Sequence, residues 1–595
     1  MSNKKLLKRI LVWRAKHITN RQFIYILSVI VGITSGIGAV LLKNATHFIQ
    51  HALEGKLVAN YHHAFYFLSP IVGFFLVYLC VKYIIRNKVS HGIPSTLYAI
   101  AKRKGFMKRY QMFGSLITAP ITVGFGGSVG LEGPTVATGA AISSNLSRFF
   151  HLDQTTRNLL ISCAAAGALS SIFKAPIAAI IFAIEVFSLD LTIASMLPLL
   201  LASLSAIITS YFFFGDDVLL PFKIEDKFII SDVPFYMALG VVSALISMYY
   251  TEVYDRIQQF FDRIKSPLKR VLIGGVSIGV LVYFIPPLYG EGFDVINHLI
   301  AGHPEKALVN NSLHLDLDNV WVVISLLGGL VFFKVIAGAL TFGAGGVGGI
   351  FAPTLFMGSI MGNCFAKIIN NSGLVQDPVS ESNFTLIGMA GLMAGVLHAP
   401  LTAIFLIAEV TGGYELFVPL MITATLSFGI TKYFYPHSVY TMELGRKGEL
   451  LTHDKDHAVL TLMDIDSVIE TNFIPLKKKM TLGDIIYGAV VKSNRNIFPV
   501  LDKNGRVLVG ILLLDDIRDV MFKQELYKTL EVADFMRTVP DVIVYEKDNV
   551  QAVMNKFQLS GAWNLPIVKE GKYIGFVSKS KLLTAYRRKL IDFTK

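Results

Sequence analysis

Charge is the scarcest commodity in this chain. Of its 595 residues only 16% are Asp, Glu, Lys or Arg, while 53% are hydrophobic. Soluble domains carry about a quarter charged residues, and a mean hydropathy of +0.55 puts the bulk of this chain in lipid. Cysteine is nearly absent: Cys80, Cys163 and Cys364 lie far apart in apolar or small-residue segments, which excludes a disulfide framework and a cysteine metal site. Phosphate-loop chemistry is missing too, because "GAGGVGG" (Gly343 to Gly349) lacks the Gly-Lys-Ser/Thr ending. No nucleophile–base pair or metal cluster stands out, so nothing points to an enzyme, and a cation pore would want acidic rings or carbonyl filters that are not in evidence. The formal charge of +13 does raise nucleic acid as a partner. Its Lys and Arg residues, however, are scattered through junctions and tails without a stripe of interleaved aromatics, and basic flanks beside apolar spans are better explained by retention on the cytoplasmic side.

What the chain has instead is apolar length. A basic, amphipathic segment (residues 1–21) runs into "FIYILSVIVGITSGIGAVLL" (Phe23 to Leu42) with no small-residue cleavage site after a short core, which reads as an uncleaved first span with a cytoplasmic N-terminus. Further apolar segments lie at about 64–85, 192–214, 233–250, 271–288, 320–341 and 414–433. A spanning helix needs roughly 20 apolar residues. "ISCAAAGALSSIF", "APIAAIIFAIEVF" and "APTLFMGSIMGNCF" are shorter and rich in small residues, and they predict partial or broken helices packed inside the protein. These pieces repeat. "GLEGPT" (Gly130 to Thr135) matches "GIFAPT" (Gly349 to Thr354), and "AAGALSSIFKAPIAAIIFAIEV" (Ala165 to Val186) is echoed by "MAGLMAGVLHAPLTAIFLIAEV" (Met389 to Val410). In both copies a Glu follows the Ala-Pro pair at one spacing: Glu185 after Pro176, Glu409 after Pro400. Two halves with interrupted helices at matching places (about 22–215 and 230–445) point to a transport site between them.

After about residue 445 the character changes. A polar linker (446–465) leads to a soluble tail (466–595) made of two similar units, about 466–522 and 533–590, each a helix, two strands joined by a turn ("DKNG", "KEGK") and a helix.

Three glycine–proline motifs need a common reason: "SHGIP" (Ser90 to Pro94), "GLEGP" (Gly130 to Pro134) and "GIFAP" (Gly349 to Pro353). Proline suits the first turn of a helix, where its missing N–H is no loss, and glycine upstream lets main-chain N–H groups approach a ligand. A helix N-terminus presents unpaired N–H donors and about half a positive charge, which makes it an anion site. Several converging ends hold a small anion without the grip of a fixed Lys or Arg. Glu132 then has two readings. As a gate, its carboxylate sits where the anion would, competes for the same N–H groups when ionised, and leaves the path open when protonated. As a cap, it merely satisfies a helix end. Spacing alone leaves both open.

The three motifs in this order, the duplicated Ala-Pro…Glu segments and the tandem tail resemble the CLC family of chloride channels and chloride/proton antiporters, and the tail resembles paired CBS domains. The resemblance runs from about residue 20 to the C-terminus. It implies an all-α polytopic membrane protein with two inverted-topology repeats and broken helices, followed by an α/β CBS pair. It favours Glu132 as the gate and implies an anion site built from His91, Gly92 and Ile93 of the first motif, the N–H groups of Ile350 and Phe351, and the hydroxyl of Tyr440, with Tyr435 as fallback. It implies a homodimer in a cell membrane (plasma or inner), multi-pass, with both termini cytoplasmic, passing chloride or another small anion through one pore per subunit, and using no cofactor.

Four departures bear on that reading. His91 stands where the family has serine: it either donates an imidazole N–H to the anion or faces the vestibule and leaves only main-chain donors. Leu131 replaces a basic residue before the gate, which weakens attraction of anions at the outer entrance. Val186 replaces the glutamate that family antiporters use to take up protons, so the expectation is a voltage- or pH-gated channel, with a chloride/proton antiporter as alternative and a membrane sensor or binding protein with a CBS tail as a remote one. Glu185 and Glu409 then belong to the scaffold. In the tail, Asp516 occupies a ribose-binding position in the first unit but Lys581 replaces it in the second, and Leu513 and Ser578 divide the other polar position, so adenosine-nucleotide binding is not expected.

Overall fold

The computed structural model describes residues 14, 16–53, 59–89, 92–189, 192–215, 228–308, 319–373, 375–446, 460 and 463–594. They fall into two units, Met1–Lys447 and Gly448–Lys595.

The first unit is helical throughout. Its helices are α1 (Asn20–Leu53), α2 (Ala59–Leu79), α3 (Gly92–Lys102), α4 (Gln111–Gly124), α5 (Glu132–Phe149), α6 (Gln154–Phe173), α7 (Pro176–Phe187), α8 (Ile193–Phe214), α9 (Val233–Arg263), α10 (Pro267–Phe284), α11 (Phe293–Ile300), α12 (Pro304–Leu308), α13 (Val320–Gly343), α14 (Phe351–Asn371), α15 (Glu381–Leu397), α16 (Pro400–Val410), α17 (Phe417–Phe434) and α18 (Met442–Arg446). Among the described residues seven helices are long and apolar enough to cross a membrane. Others, α5, α6, α14 and α15, are buried along almost their whole length. Apolar side chains gain nothing by leaving lipid for protein, so these helices associate through close packing of small residues. Ser205 of α8 reaches across to the carbonyl of Val29 in α1 (3.2 Å), and a side chain on Gly358 of α14 would meet the carbonyl of Gly388 in α15 at 2.6 Å.

One expectation changes. "ISCAAAGALSSIF" and "APTLFMGSIMGNCF" belong to unbroken helices of 20 and 21 residues, because polar residues continue each helix beyond its apolar core. Arg157 shows how α6 tolerates this: its guanidinium donates to the carbonyls of Lys104 and Leu152, both at 2.7 Å. "APIAAIIFAIEVF" does stay short, as the 12-residue α7, and its counterpart α16 has 11 residues.

The halves match in detail. α6 and α15 begin on side-chain caps, Asp153 accepting from Thr156 N–H and Ser380 from Asn383 N–H. Both end on a non-glycine residue in the left-handed region, Lys174 (φ 55°) and His398 (φ 56°), directly before the Ala-Pro pairs.

The tail holds strands β1 (Ile469–Glu470) and β2 (Leu476–Lys477), helix α19 (Leu482–Ile485), β3 (Ile497–Leu501), β4 (Leu508–Leu513), α20 (Leu514–Ile517), α21 (Val532–Phe535), β5 (Ile543–Val544), α22 (Val550–Ser560), β6 (Asn564–Lys569), β7 (Lys572–Ser578) and α23 (Lys579–Thr594). Two sheets result, in orders β2-β3-β4 and β1-β7-β6-β5, over separate cores around Phe498 and Phe557. Both hairpins turn through a glycine at positive φ, Gly505 (69°) and Gly571 (74°). β1 opens the first unit in sequence yet pairs with β7 of the second, Ile469 opposite Val577. The units are therefore stitched together, which two self-contained blocks beginning near residues 466 and 533 do not anticipate.

Candidate anion site

The site is assembled by glycines. In the approach to α5, Gly126 has φ 95°; in the approach to α14, Gly345 has φ 93°. These turns bring the two motifs side by side, and Gly130 and Gly349 exchange both backbone hydrogen bonds, at 2.9 and 2.7 Å. Each approach is also held by a threonine of the other half: Thr122 accepts from Val347 N–H (3.0 Å) and Thr341 from Ser128 N–H (3.1 Å). The third motif arrives at the same place. A side chain on Gly92, at the start of α3, would come within 2.6 Å of Gly133 Cα, and one on Gly349 within 2.8 Å of Gly133 N. Only hydrogen fits at these contacts. Three helix N-termini, those of α3, α5 and α14, thus meet around Gly133, and their first-turn N–H groups are left over by the helices themselves.

Glu132 lies in this meeting point. Its side chain is 1% exposed. Its carboxylate folds back over Gly130 towards the first turn of α14, so that a side chain on Gly349 would be 3.4 Å from Oε2. Neither carboxylate oxygen finds a partner of ordinary hydrogen-bond geometry among the described residues. Tyr440, on the segment between α17 and α18, is buried with its hydroxyl equally unpartnered, and it interacts electrostatically with Glu132. That segment is anchored to α15 through Val439 N–H and the carbonyl of Val396 (3.4 Å). Buried polar atoms are almost always paired. Two unpaired groups at converging helix ends mark a place suited to a small anion.

The other sequence-derived residues divide clearly. Gly92 and Ile93 are buried in the first turn of α3, Ile350 caps α14 and Phe351 opens it, its ring 5.1 Å from that of Phe173. His91 lies outside the described residues. Tyr435 donates to Glu252 at 3.0 Å and so is otherwise engaged. Val186 is buried near the end of α7. Glu185 accepts from Leu401 N–H (3.0 Å), Thr402 N–H (2.8 Å) and the Thr402 hydroxyl (2.6 Å), while Glu409 accepts from Ile177 N–H (3.1 Å) and Ala178 N–H (2.8 Å). Each acid caps the short helix of the opposite half. In the tail, Asp516 accepts from Leu513 N–H (3.1 Å) and forms an ion pair with Arg537, so the carboxylate at the ribose position is already in use.

Three charged groups near the site escaped the sequence reading. Glu291, between α10 and α11, accepts from Leu131 N–H at 2.9 Å, one residue before the gate position. Lys334, fully buried in α13, donates to the carbonyl of Gly290 (3.0 Å) and sits 4.5 Å from the ring centre of Phe356. Lys174 lines the same small cavity as Glu291, Leu131 and Thr135. A lone Lys in "LVFFKVIAG" was the available signal, since an ionisable residue inside an apolar span is a functional candidate by default.

Comparison with known proteins bears on the family and the fold. A family model described as voltage gated chloride channel matches residues 72–432, and one described as CBS domain matches 465–523 and 532–588. A Ralstonia nicotianae protein, named as a candidate ClcB-like chloride channel protein, is 30% identical over 391 residues, which is 64% of this chain and 85% of that one. The H(+)/Cl(-) exchange transporter ClcA of Vibrio vulnificus is 28% identical over 422 residues, 67% of this chain and 84% of that one. Among solved structures, a slow cyanobacterial Cl-/H+ antiporter superposes with TM-score 0.62 at 21% identity (72% of this chain, 98% of that one), and a eukaryotic CLC transporter with TM-score 0.56 at 17% identity (94% and 97%). At such identities the structures speak to the fold alone.

Proposed function

The chain belongs to the voltage gated chloride channel family and is a multi-pass membrane protein that transports anions, and from that premise we propose that it is a passive, pH-gated chloride channel opened and closed by Glu132. The observation that carries the gate is the buried carboxylate of Glu132, laid across the bridged ends of α5 and α14 without a regular hydrogen bond among the described residues, the backbone of Ala352 in the first turn of α14 acting on it. Ionised, it stands in for the anion at those N–H groups; protonated or swung aside, it vacates them. The anion site takes in Gly92, Ile93, Ile350, Phe351, Tyr440 and, from the sequence, His91. The passive reading is supported by Val186, which cannot carry a proton, and by the hydrogen bonds that hold Glu185 beside it. Two copies associate as in the family the chain belongs to, each with its own pore, because motifs from both halves of one chain build the site. The basic segment before α1 supports a cell-membrane protein with both termini in the cytoplasm.

A second reading, proton-coupled exchange at the same site, is favoured by the likeness to ClcA exchange transporters. The reversal potential of the purified protein in bilayers separates the two. A channel follows the chloride gradient and ignores an imposed pH gradient. A potential displaced by the pH gradient establishes exchange and means that protons reach Glu132 by a route avoiding Val186.

A further inference from the structure

Glu291 contacts the backbone directly beside the gate. It arrives on "LYGEGF" (Leu288 to Phe293), where Gly292 has φ 88°, and its Oε1 takes the N–H of Leu131 at 2.9 Å. It also lines a cavity with Lys43 of α1, Lys174 at the end of α6, and Leu131 and Thr135 beside the gate. The charged groups facing it are few. Glu132 on α5 and Glu291 interact electrostatically; Lys43 and Lys334 of α13 act on Glu291 from the other side. Lys334 is held to the carbonyl of Gly290, next to it in the chain. Lys174 is steadied by the carbonyl of Gly215 (2.6 Å) and the ring of Tyr211 (4.6 Å), and Lys43 lies 4.8 Å from the ring centre of Phe214. Beyond Lys43, His47 of α1 interacts with it and with Asp294 of α11.

We propose that Glu291 is a positioning residue of the gate: it anchors the first turn of α5 through Leu131, and its charge, balanced by the surrounding lysines, sets the pH at which Glu132 is released. Two carboxylates at one helix end cannot both ionise freely. A negative Glu291 keeps Glu132 protonated to higher pH, while Lys43 and Lys334 favour that negative charge. This inference rests on Glu132 being the titrating gate.

The test is chloride efflux from liposomes containing the full chain, measured against external pH. Glu291→Gln keeps an acceptor for Leu131 N–H and removes only the charge, so the activation midpoint moves to lower pH by about one unit. Lys43→Gln removes the cation that favours the ionised form of Glu291 and moves the midpoint the same way by less. In a Glu132→Gln background neither change has any effect on the profile. Thermal unfolding of both variants separates a retuned gate from a loosened structure, which lowers stability without moving the midpoint. An unmoved midpoint in Glu291→Gln, or one that rises, overturns the proposal. If Glu291→Gln yields no folded protein, Lys43→Gln carries the test by itself, and a midpoint that stays put or rises overturns it. A Glu132→Gln protein with the wild-type pH profile instead overturns the gate reading beneath it.

Discussion

The approaches to α5 and α14 are the same structure built twice. Thr122–Pro134 and Thr341–Pro353 share the threonine that reaches across, the glycine turn, the bridging glycine and the proline in the first helical turn. They differ at one place that decides what each can do: Glu132 in the first copy stands where the second has Phe351. The phenylalanine packs against Phe173 and Phe182 (ring centres 5.1 and 6.3 Å) and has no chemistry to perform. The glutamate is buried to the same degree, and no regular hydrogen bond holds its carboxylate among the described residues. Duplication therefore supplies two helix ends for an anion, and a single asymmetric residue supplies the control. The second duplicated pair teaches the converse. Glu185 and Glu409 are acids in both copies, both are fully engaged as reciprocal caps, and neither is free to gate.

The bridge itself is the most fragile element. Gly349→Ala drives a methyl group into Gly133 N at 2.8 Å, a backbone atom that cannot retreat. The variant should lose most monodisperse protein after extraction, with a destabilisation of at least about 3 kcal/mol where any folds; size-exclusion and thermal unfolding report it. Phe351→Ala comes next. It leaves a cavity against Phe173 and Phe182 and should cost about 3 kcal/mol, lowering the melting temperature while the flux of surviving protein retains its pH dependence. A change in pH profile there would erase the functional difference between the copies. The two caps sharpen the comparison further. Glu185→Ala abandons three donors and Glu409→Ala two, so both destabilise by about 2 kcal/mol or more, the first more than the second, as denaturation curves should rank them. The smallest effect belongs to the tail. Asp516→Ala loses a cap and an ion pair with the exposed guanidinium of Arg537, worth about 1 kcal/mol, and ATP should leave the thermal transition of the wild-type tail unmoved.

Much of this was legible because helix-end chemistry is local. Pro134, Pro176, Pro353 and Pro400 mark first turns, and repeated glycines mark close approaches, so the motifs and the twofold plan could be read residue by residue. What could not be read was long-range. Nothing in "GLEGP" says that Gly130 will bond Gly349, or that Glu132 folds towards α14. The lengths of α6 and α14 were underestimated because apolar runs were counted, whereas Arg157 continues its helix by finding carbonyls of a neighbouring loop. Glu291 went unnoticed because its partner, Leu131 N–H, is 160 residues away. The pairing of β1 with β7 was illegible for the same reason, the two strands lying at opposite ends of the tail.

The central claim is that Glu132 blocks the bridged helix ends when ionised and clears them when protonated. Chloride efflux from liposomes holding wild-type protein or Glu132→Gln, followed from acid to neutral external pH, tests it most directly. The account predicts wild-type flux that rises as pH falls, and a Glu132→Gln flux that stays high and flat throughout. A variant that keeps the wild-type pH dependence and differs only in thermal stability would contradict it and leave Glu132 as a helix cap.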